Sequence, residues 1–213
     1  MTTQHHGRFS PTRWLRKAPV GDYRRFFTAA IRHPGTVGAA TPTSNAVADS
    51  VGRVVPDRGE PVVVELGPGT GSLSVEIRKR LPAAGRHVGI ELDEHMVRHL
   101  RRRIPEMETV HGNARKLRST LPKLGIDSAD VIVTSIPWSL LDENEQHDVL
   151  RQCRRSLAPD GVFTAMTYLP MRHSPGGRRF RDRLEAGFGE VLTHTTWRSV
   201  PPMLHYTCRH PIV

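Results

Sequence analysis

The strongest chemical signal in the chain is the segment Glu65-Leu66-Gly67-Pro68-Gly69-Thr70-Gly71. An acid followed by three alternating glycines suits a ligand that the backbone must approach closely. Glycine reaches positive φ at no steric cost and has no Cβ to fill the space. An apolar run, Val62–Leu66, leads into the loop, and a helical pattern, Ser72–Leu81, leads out of it. That order aims the first N–H groups of a helix at the loop, which suits an anionic or nucleotide-like group. The third glycine comes one residue earlier than in the dinucleotide fingerprint Gly-x-Gly-x-x-Gly. Strand-to-helix turns also use glycine for sterics alone, so the loop needs support from elsewhere.

Other positions supply that support. Glu91 closes a second apolar run twenty residues beyond Gly71, where a carboxylate can accept hydrogen bonds from two ribose hydroxyls. Gly112-Asn113-Ala114 follows a third run; Asn113 suits an adenine edge, and Asn and Gly are equally common turn residues. Ser135-Ile136-Pro137-Trp138 follows a fourth. Singly, Glu91 also reads as a solvated acid, and Pro137 and Trp138 as packing. All four features fall at the same end of successive strands, the edge where doubly wound sheets bind ligands. Tyr168 ends a fifth run. The rings of Tyr168 and Trp138 are placed to line a second-reactant pocket and hold an ammonium by cation–π attraction, and both serve equally well as core aromatics. His111 and His173 lie near strand ends, either as bases or as surface histidines. No metal-ligand spacing and no nucleophile–base–acid set is present.

The elements that must position these residues alternate from residue 61 onward. Strands are expected at Val62–Leu66, His87–Leu92, Thr109–His111, Val131–Ser135 and Val162–Tyr168. Between them fall helical patterns at Ser72–Leu81, Glu94–Arg103 and Glu143–Leu157, the last ended by Pro159-Asp160-Gly161. Gly177–Phe188 reads as a helix, and Val191–Val200 and Leu204–Arg209 as two terminal strands. Five β/α alternations and a terminal strand pair predict an α/β, doubly wound sheet.

Ahead of residue 61 the charge is uneven. The chain of 213 residues carries a formal net charge of +10, which favours an anionic partner: nucleic acid, an acidic membrane surface or a phosphorylated substrate. Met1–His33 holds seven basic residues against one acid, Asp22. Asp22 suits the cap of a helix over Tyr23–Arg32, whose Tyr23, Phe26, Phe27, Ala30 and Ile31 form an amphipathic stripe. A second helix is expected from Thr41-Pro42 to about Val55. The stripe suits a membrane interface, with arginines meeting anionic headgroups, or a lid over the sheet. No apolar run is long enough to span a bilayer or to form a secretory signal. With two cysteines, Cys153 and Cys208, a reducing cytoplasm is the simpler setting.

Over roughly residues 36–213 the chain resembles the class I S-adenosylmethionine-dependent methyltransferases, most strongly in VVVELGPGTGSLSVEI. The resemblance implies a seven-stranded Rossmann-like sheet of order 3-2-1-4-5-7-6, strand 7 antiparallel, with N-terminal helices. It implies S-adenosyl-L-methionine as cofactor and S-adenosyl-L-homocysteine as product. Glu65 would lie near the methionine part and Gly67, Pro68, Gly69, Thr70 and Gly71 would wrap it. Glu91, with Leu92 beside it, would bind the ribose; Asn113 and Ala114 would contact the adenine; Ser135, Ile136 and Pro137 complete the set.

For the methyl acceptor, narrower resemblances compete. Ser135-Ile136-Pro137-Trp138 resembles the Asn-x-Pro-aromatic motif of adenine N6-methyltransferases, with serine in place of Asn. Only about 45 residues follow strand five, too few for the helical domain that the ribosomal RNA dimethylases append. Bacterial phospholipid N-methyltransferases match more closely. They share a basic amphipathic N-terminal helix, the segment Gly38-Ala39-Ala40-Thr41-Pro42-Thr43-Ser44, a Thr167-Tyr168-Leu169-Pro170 end to strand five, and a closing Trp197-Arg198-Ser199-Val200-Pro201-Pro202. Departures are a strand-four turn one residue shorter and Met166 where an aromatic is usual. This resemblance implies methylation of a headgroup amine, phosphatidylethanolamine in the first instance, by a cytoplasmic protein peripheral at the inner membrane face. Residues 1–35 would be the membrane-directed arm and 36–213 the methyltransferase domain. A small-molecule methyltransferase of specialised metabolism and an RNA adenine N6-methyltransferase are the alternatives.

Overall fold

The computed structural model describes residue 48, residues 50–197 and residues 202–213. The expected helix over Tyr23–Arg32, the Gly38–Ser44 segment, the start of the Thr41 helix and Arg198–Pro201 lie outside the described residues. The end of that second helix is described, and it stops at Gly52 rather than Val55.

Seven strands form one sheet of order β3-β2-β1-β4-β5-β7-β6, as expected. β1 (Val62–Leu66) occupies the centre, between β2 (Arg86–Glu91) and β4 (Ala129–Thr134), and both pairings are parallel. β3 (Glu108–His111) flanks β2, and β5 (Leu157–Tyr168) flanks β4, again in parallel. β7 (Met203–Pro211) is antiparallel to both β5 and β6 (Phe188–Thr196). Beyond the helix that ends at Gly52, the described helices are α1 (Ser72–Arg80), α2 (Glu94–Arg103), the short α3 (Leu117–Thr120), α4 (Glu143–Ser156) and α5 (Pro175–Gly187).

The apolar runs are continuous because the central strands are covered on both faces. Val64, Leu66 and Ile132 enter one core with Trp138, Phe163, Phe180 and Leu184. Their neighbours Val63, Val131 and Val133 enter the other, with Leu73 and Ile77 of α1. Chain order reverses between β1 and β4, which opens a crevice at the carboxyl ends of the strands. Register brings the chemistry to one level there: Leu66 opposes both Ile90 and Thr134, and Glu91 opposes His111.

Two strand starts and one stretch of helical turns depart most from expectation. β5 begins at Leu157, because Pro159-Asp160-Gly161 interrupts the strand without ending it. Ala129 pairs with Leu157 and Val131 with Val162, so the turn residues are accommodated as an irregularity in the β4–β5 ladder. β6 starts earlier, at Phe188, because its opening residue pairs with Pro211. Residues 114–124, left without an element by the pattern, form short helical turns that bury Leu117 and Leu121.

Candidate active site

The glycine loop has the backbone its composition requires. Gly67, Gly69 and Gly71 have φ of 70°, 58° and 81°, all in the left-handed region. A Cβ on Gly71 would lie 2.8 Å from Ile104 Cδ1 and 2.9 Å from Leu100 Cδ2. The loop is pinned at both ends: Gly67 N–H donates to Ile90 O at 3.0 Å, and Gly71 N–H to Pro68 O at 2.9 Å. Gly71 is also the N-cap of α1 and supplies no side chain to its first N–H groups. Uncapped N–H groups at a helix start suit an anionic group.

Two buried acids flank this loop in sequence or space, and one of them bonds to it. Glu91 Oε2 accepts from Gly69 N–H at 3.0 Å, while Oε1 accepts from Leu92 N–H at 2.8 Å and Asp93 N–H at 2.9 Å. A carboxylate offers about four acceptor sites, so Glu91 can hold the loop and still accept from a ligand hydroxyl. Glu65, fully buried, places Oε2 3.1 Å from His87 Nε2, while its Oε1 is buried with no donor among the described residues. A buried acceptor without a partner is costly, and a ligand ammonium would satisfy it. Arg103, at the end of α2, donates to Thr70 O at 2.8 Å. His87 and Arg103 were not singled out from the sequence. The signal for His87 was its position inside a strand that is buried on both faces, where a polar ring needs a partner.

The turn after β4 closes the other side. Ser135 Oγ donates to Gly67 O at 3.0 Å, tying the turn to the glycine loop. Ile136 N–H donates to Thr134 Oγ1 at 3.2 Å, and Pro137 leads into a helical turn over Trp138–Leu140. The expectation that the Trp138 ring lines an acceptor pocket does not match its placement. Its exposure is 0 %, it stacks on Phe180 at 4.5 Å, and it meets Phe163 edge-on at 6.0 Å. Gln146 Nε2 donates to Trp138 O at 2.7 Å and Gly176 O at 3.0 Å, so this turn is anchored into the core.

The remaining positions lie along the same edge. Asn113 is half-buried, and its Oδ1 accepts from Arg115 N–H at 2.9 Å, which caps the turn beginning at Ala114. Leu92 is exposed beside Glu91, and its carbonyl accepts from His111 Nε2 at 3.1 Å. His173 Nε2 accepts from Arg172 Nε at 2.9 Å. Tyr168, half-buried at the end of β5, has its phenol pKa raised above the ordinary value by desolvation. Just beyond it, a depression of about 380 Å³ is lined by Leu169, Pro170, Arg172, His173, Thr195 and Trp197. Cys153 and Cys208 are free thiols in the core, away from this edge; burial pushes the Cys208 thiol up to about 12.

This donor set fits a nucleoside that carries an amino acid. Positive-φ glycines give close backbone access, Glu65 offers an unfilled acceptor, and Glu91 offers spare lone pairs. Residues 63–161 match the model of the methyltransferase domain family. The chain is 30% identical over 191 residues to an ornithine lipid N-methyltransferase of Singulisphaera acidiphila, covering 88% of this chain and 96% of that protein. It is also 35% identical over 101 residues to a mitochondrial ribosomal RNA small subunit methyltransferase of Arabidopsis thaliana, covering 46% of this chain and 25% of that protein. Among solved structures, the fibrillarin pre-rRNA processing protein of Methanococcus jannaschii shares the fold, with a TM-score of 0.62 and 15% identity over 80% of this chain and 76% of that one. The chain belongs to the class I methyltransferases and uses S-adenosyl-L-methionine as its methyl donor.

Proposed function

We propose that the chain methylates the amine of a lipid headgroup at a membrane surface. The observation that carries this reading is the likeness to the ornithine lipid N-methyltransferase, which spans nearly the whole of both chains. The likeness to the ribosomal RNA enzyme spans a quarter of that protein. An ornithine and an ethanolamine headgroup both present a primary amine, so phosphatidylethanolamine belongs among the acceptors to be tested.

In this reading the cofactor lies across the carboxyl edge. Glu65 Oε1 accepts from the ammonium of its methionine part, and the Gly67–Gly71 backbone, with Pro68 and Thr70, wraps that part. Glu91 accepts from the ribose hydroxyls beside Leu92. Asn113 and Ala114 meet the adenine, and Ser135, Ile136 and Pro137 close the opposite wall. The bound cofactor supplies an electrophilic methyl on a sulfonium. The chain's own task is alignment and exclusion of water. The acceptor nitrogen must be neutral when it attacks; it bonds to the methyl carbon as the carbon–sulfur bond breaks and its electron pair returns to sulfur. The extra proton on nitrogen then leaves to water. Tyr168, whose phenol pKa burial raises further, is assigned as the acceptor-facing hydroxyl.

Residues 1–35 are assigned as an anionic-surface arm and 36–213 as the catalytic domain. Among the described residues no helix is long and apolar enough to cross a membrane, and a peripheral, cytoplasmic-side association is the proposed setting. The test offers labelled S-adenosyl-L-methionine with vesicles containing phosphatidylethanolamine or ornithine lipid, with RNA, and with soluble amines. Label is expected in the lipid. Label in RNA or in a soluble amine alone overturns the reading.

A further inference from the structure

An exposed indole stands at the carboxyl edge of the sheet, next to the site but outside it. Tyr168, Met203 and Thr196 form one rung across β5, β7 and β6, so the strands on either side of β7 end at the same level. Leu169 and Trp197 each follow by one residue, and together with Pro170 they form the apolar part of the depression there. Trp197 is 73% exposed, the most exposed aromatic among the described residues. The rim is cationic. Residues 169–181 contain four arginines and no acid. Arg181 is paired with Asp182 and Glu185. Arg172 donates to the His173 ring and Arg178 to the His173 carbonyl at 2.6 Å, and neither makes an ion pair among the described residues.

An exposed amphipathic ring with arginines beside it is the pattern of a membrane-interface contact, with indole at the headgroup level and arginines against anionic lipid. We infer that Trp197, Leu169 and Pro170, with Arg172 and Arg178 at the rim, form a docking face for an anionic bilayer that turns the active-site mouth toward the lipid. The inference rests on the lipid-acceptor reading. It is independent of the basic arm, because every residue in it lies within the described part of the folded domain. A bilayer seated here lets a headgroup amine reach the crevice while its acyl chains stay in the membrane.

The experiment uses the full chain with Trp14→Phe, so that emission changes report Trp197; Trp138 is already fully buried. Vesicles of phosphatidylglycerol and phosphatidylcholine are expected to shift the emission to the blue. Trp197→Ala and Arg172→Glu are expected to lower methylation of vesicle-embedded acceptor roughly tenfold. Methylation of the same headgroup on a monomeric, short-chain lipid should stay within about twofold. No shift with vesicles, or equal losses on embedded and short-chain acceptors, overturns the docking face. So does a shift with RNA in place of vesicles. If the emission shifts but neither lipid form is methylated, the docking face stands and the lipid-acceptor reading falls.

Discussion

Replacing Glu91 by glutamine separates the loop-holding its carboxylate performs from the ribose binding proposed for it. Its oxygens accept from three backbone N–H groups, those of Gly69, Leu92 and Asp93. A glutamine keeps one acceptor oxygen and turns the other into a donor. Whichever way the amide lies, it points N–H at N–H, either at the glycine loop or at the start of α2. Hydrogen bonds to a charged acceptor contribute about 1.5–3 kcal/mol each, so losing one buried bond destabilises the ligand-free protein by about 2 kcal/mol. For a chain of this size that lowers Tm by about 4–8 °C. Cofactor affinity should fall further than this, because the acceptor assigned to the ribose hydroxyls loses its charge as well; about ten- to hundredfold is expected. Thermal melts of the free protein report the first effect, and calorimetric titration with S-adenosyl-L-homocysteine reports the second. Glu91→Asp keeps the charge but pulls the carboxylate back, and should lie between the two. A glutamine variant whose Tm and Kd both match the parent would refute the assignment of Glu91 to the loop and to the ribose. A loss of affinity with an unchanged Tm would refute the loop-holding role alone.

Other substitutions probe the remaining parts. Gly69→Val forces a β-branched residue to a φ of 58°, a genuine outlier, and is expected to abolish cofactor binding in calorimetry with little change in far-UV circular dichroism. Trp138→Ala should cost about 3–5 kcal/mol by denaturant titration. Trp138→Phe should cost less and retain activity per folded molecule, which a ring facing the acceptor would not allow. Tyr168→Phe should lower turnover while leaving the acidic limb of the pH–rate profile in place. Burial raises the Tyr168 pKa, so the stabilisation from its protonated phenol is fully present below the ordinary tyrosine value and fades only as pH rises through the folded one.

The cofactor half of the site was legible because its determinants are local. The run Val62–Leu66, the glycines and the first residue of α1 fall where spacing places them, and Glu94–Arg103 matches α2 at both ends. Misjudged residues depend on partners distant in the chain. Pro159-Asp160-Gly161 has the composition of a stop, yet pairing to β4 resumes beyond it. Trp138 follows a strand end that faces the crevice, but Phe180, more than forty residues later, supplies the ring it stacks on. His87 opens an expected strand, but only register supplies its partner, setting it opposite Val63, two residues from Glu65 on the same face. Arg103 belongs to a basic helix end that reads as solvated, and only the fold brings it to Thr70 O.

The same dependence explains why the acceptor side is harder to read than the cofactor side. In the parallel part of the sheet every crossover returns the chain to the same edge, so a motif at a strand end reaches the crevice wherever it falls in sequence. The tail could have broken this rule. A hairpin from β5 directly into an adjacent antiparallel β6 would send Trp197 to the opposite edge of the sheet. Instead α5 carries the chain across, β6 runs in the direction of β5, and β7 fills the gap between them. Order 5-7-6 therefore brings the end of β6 level with Tyr168, through their shared partner Met203. The acceptor side proposed here depends on that long-range pairing, in which residues 168, 196 and 203 meet across one rung, and no short sequence window contains it.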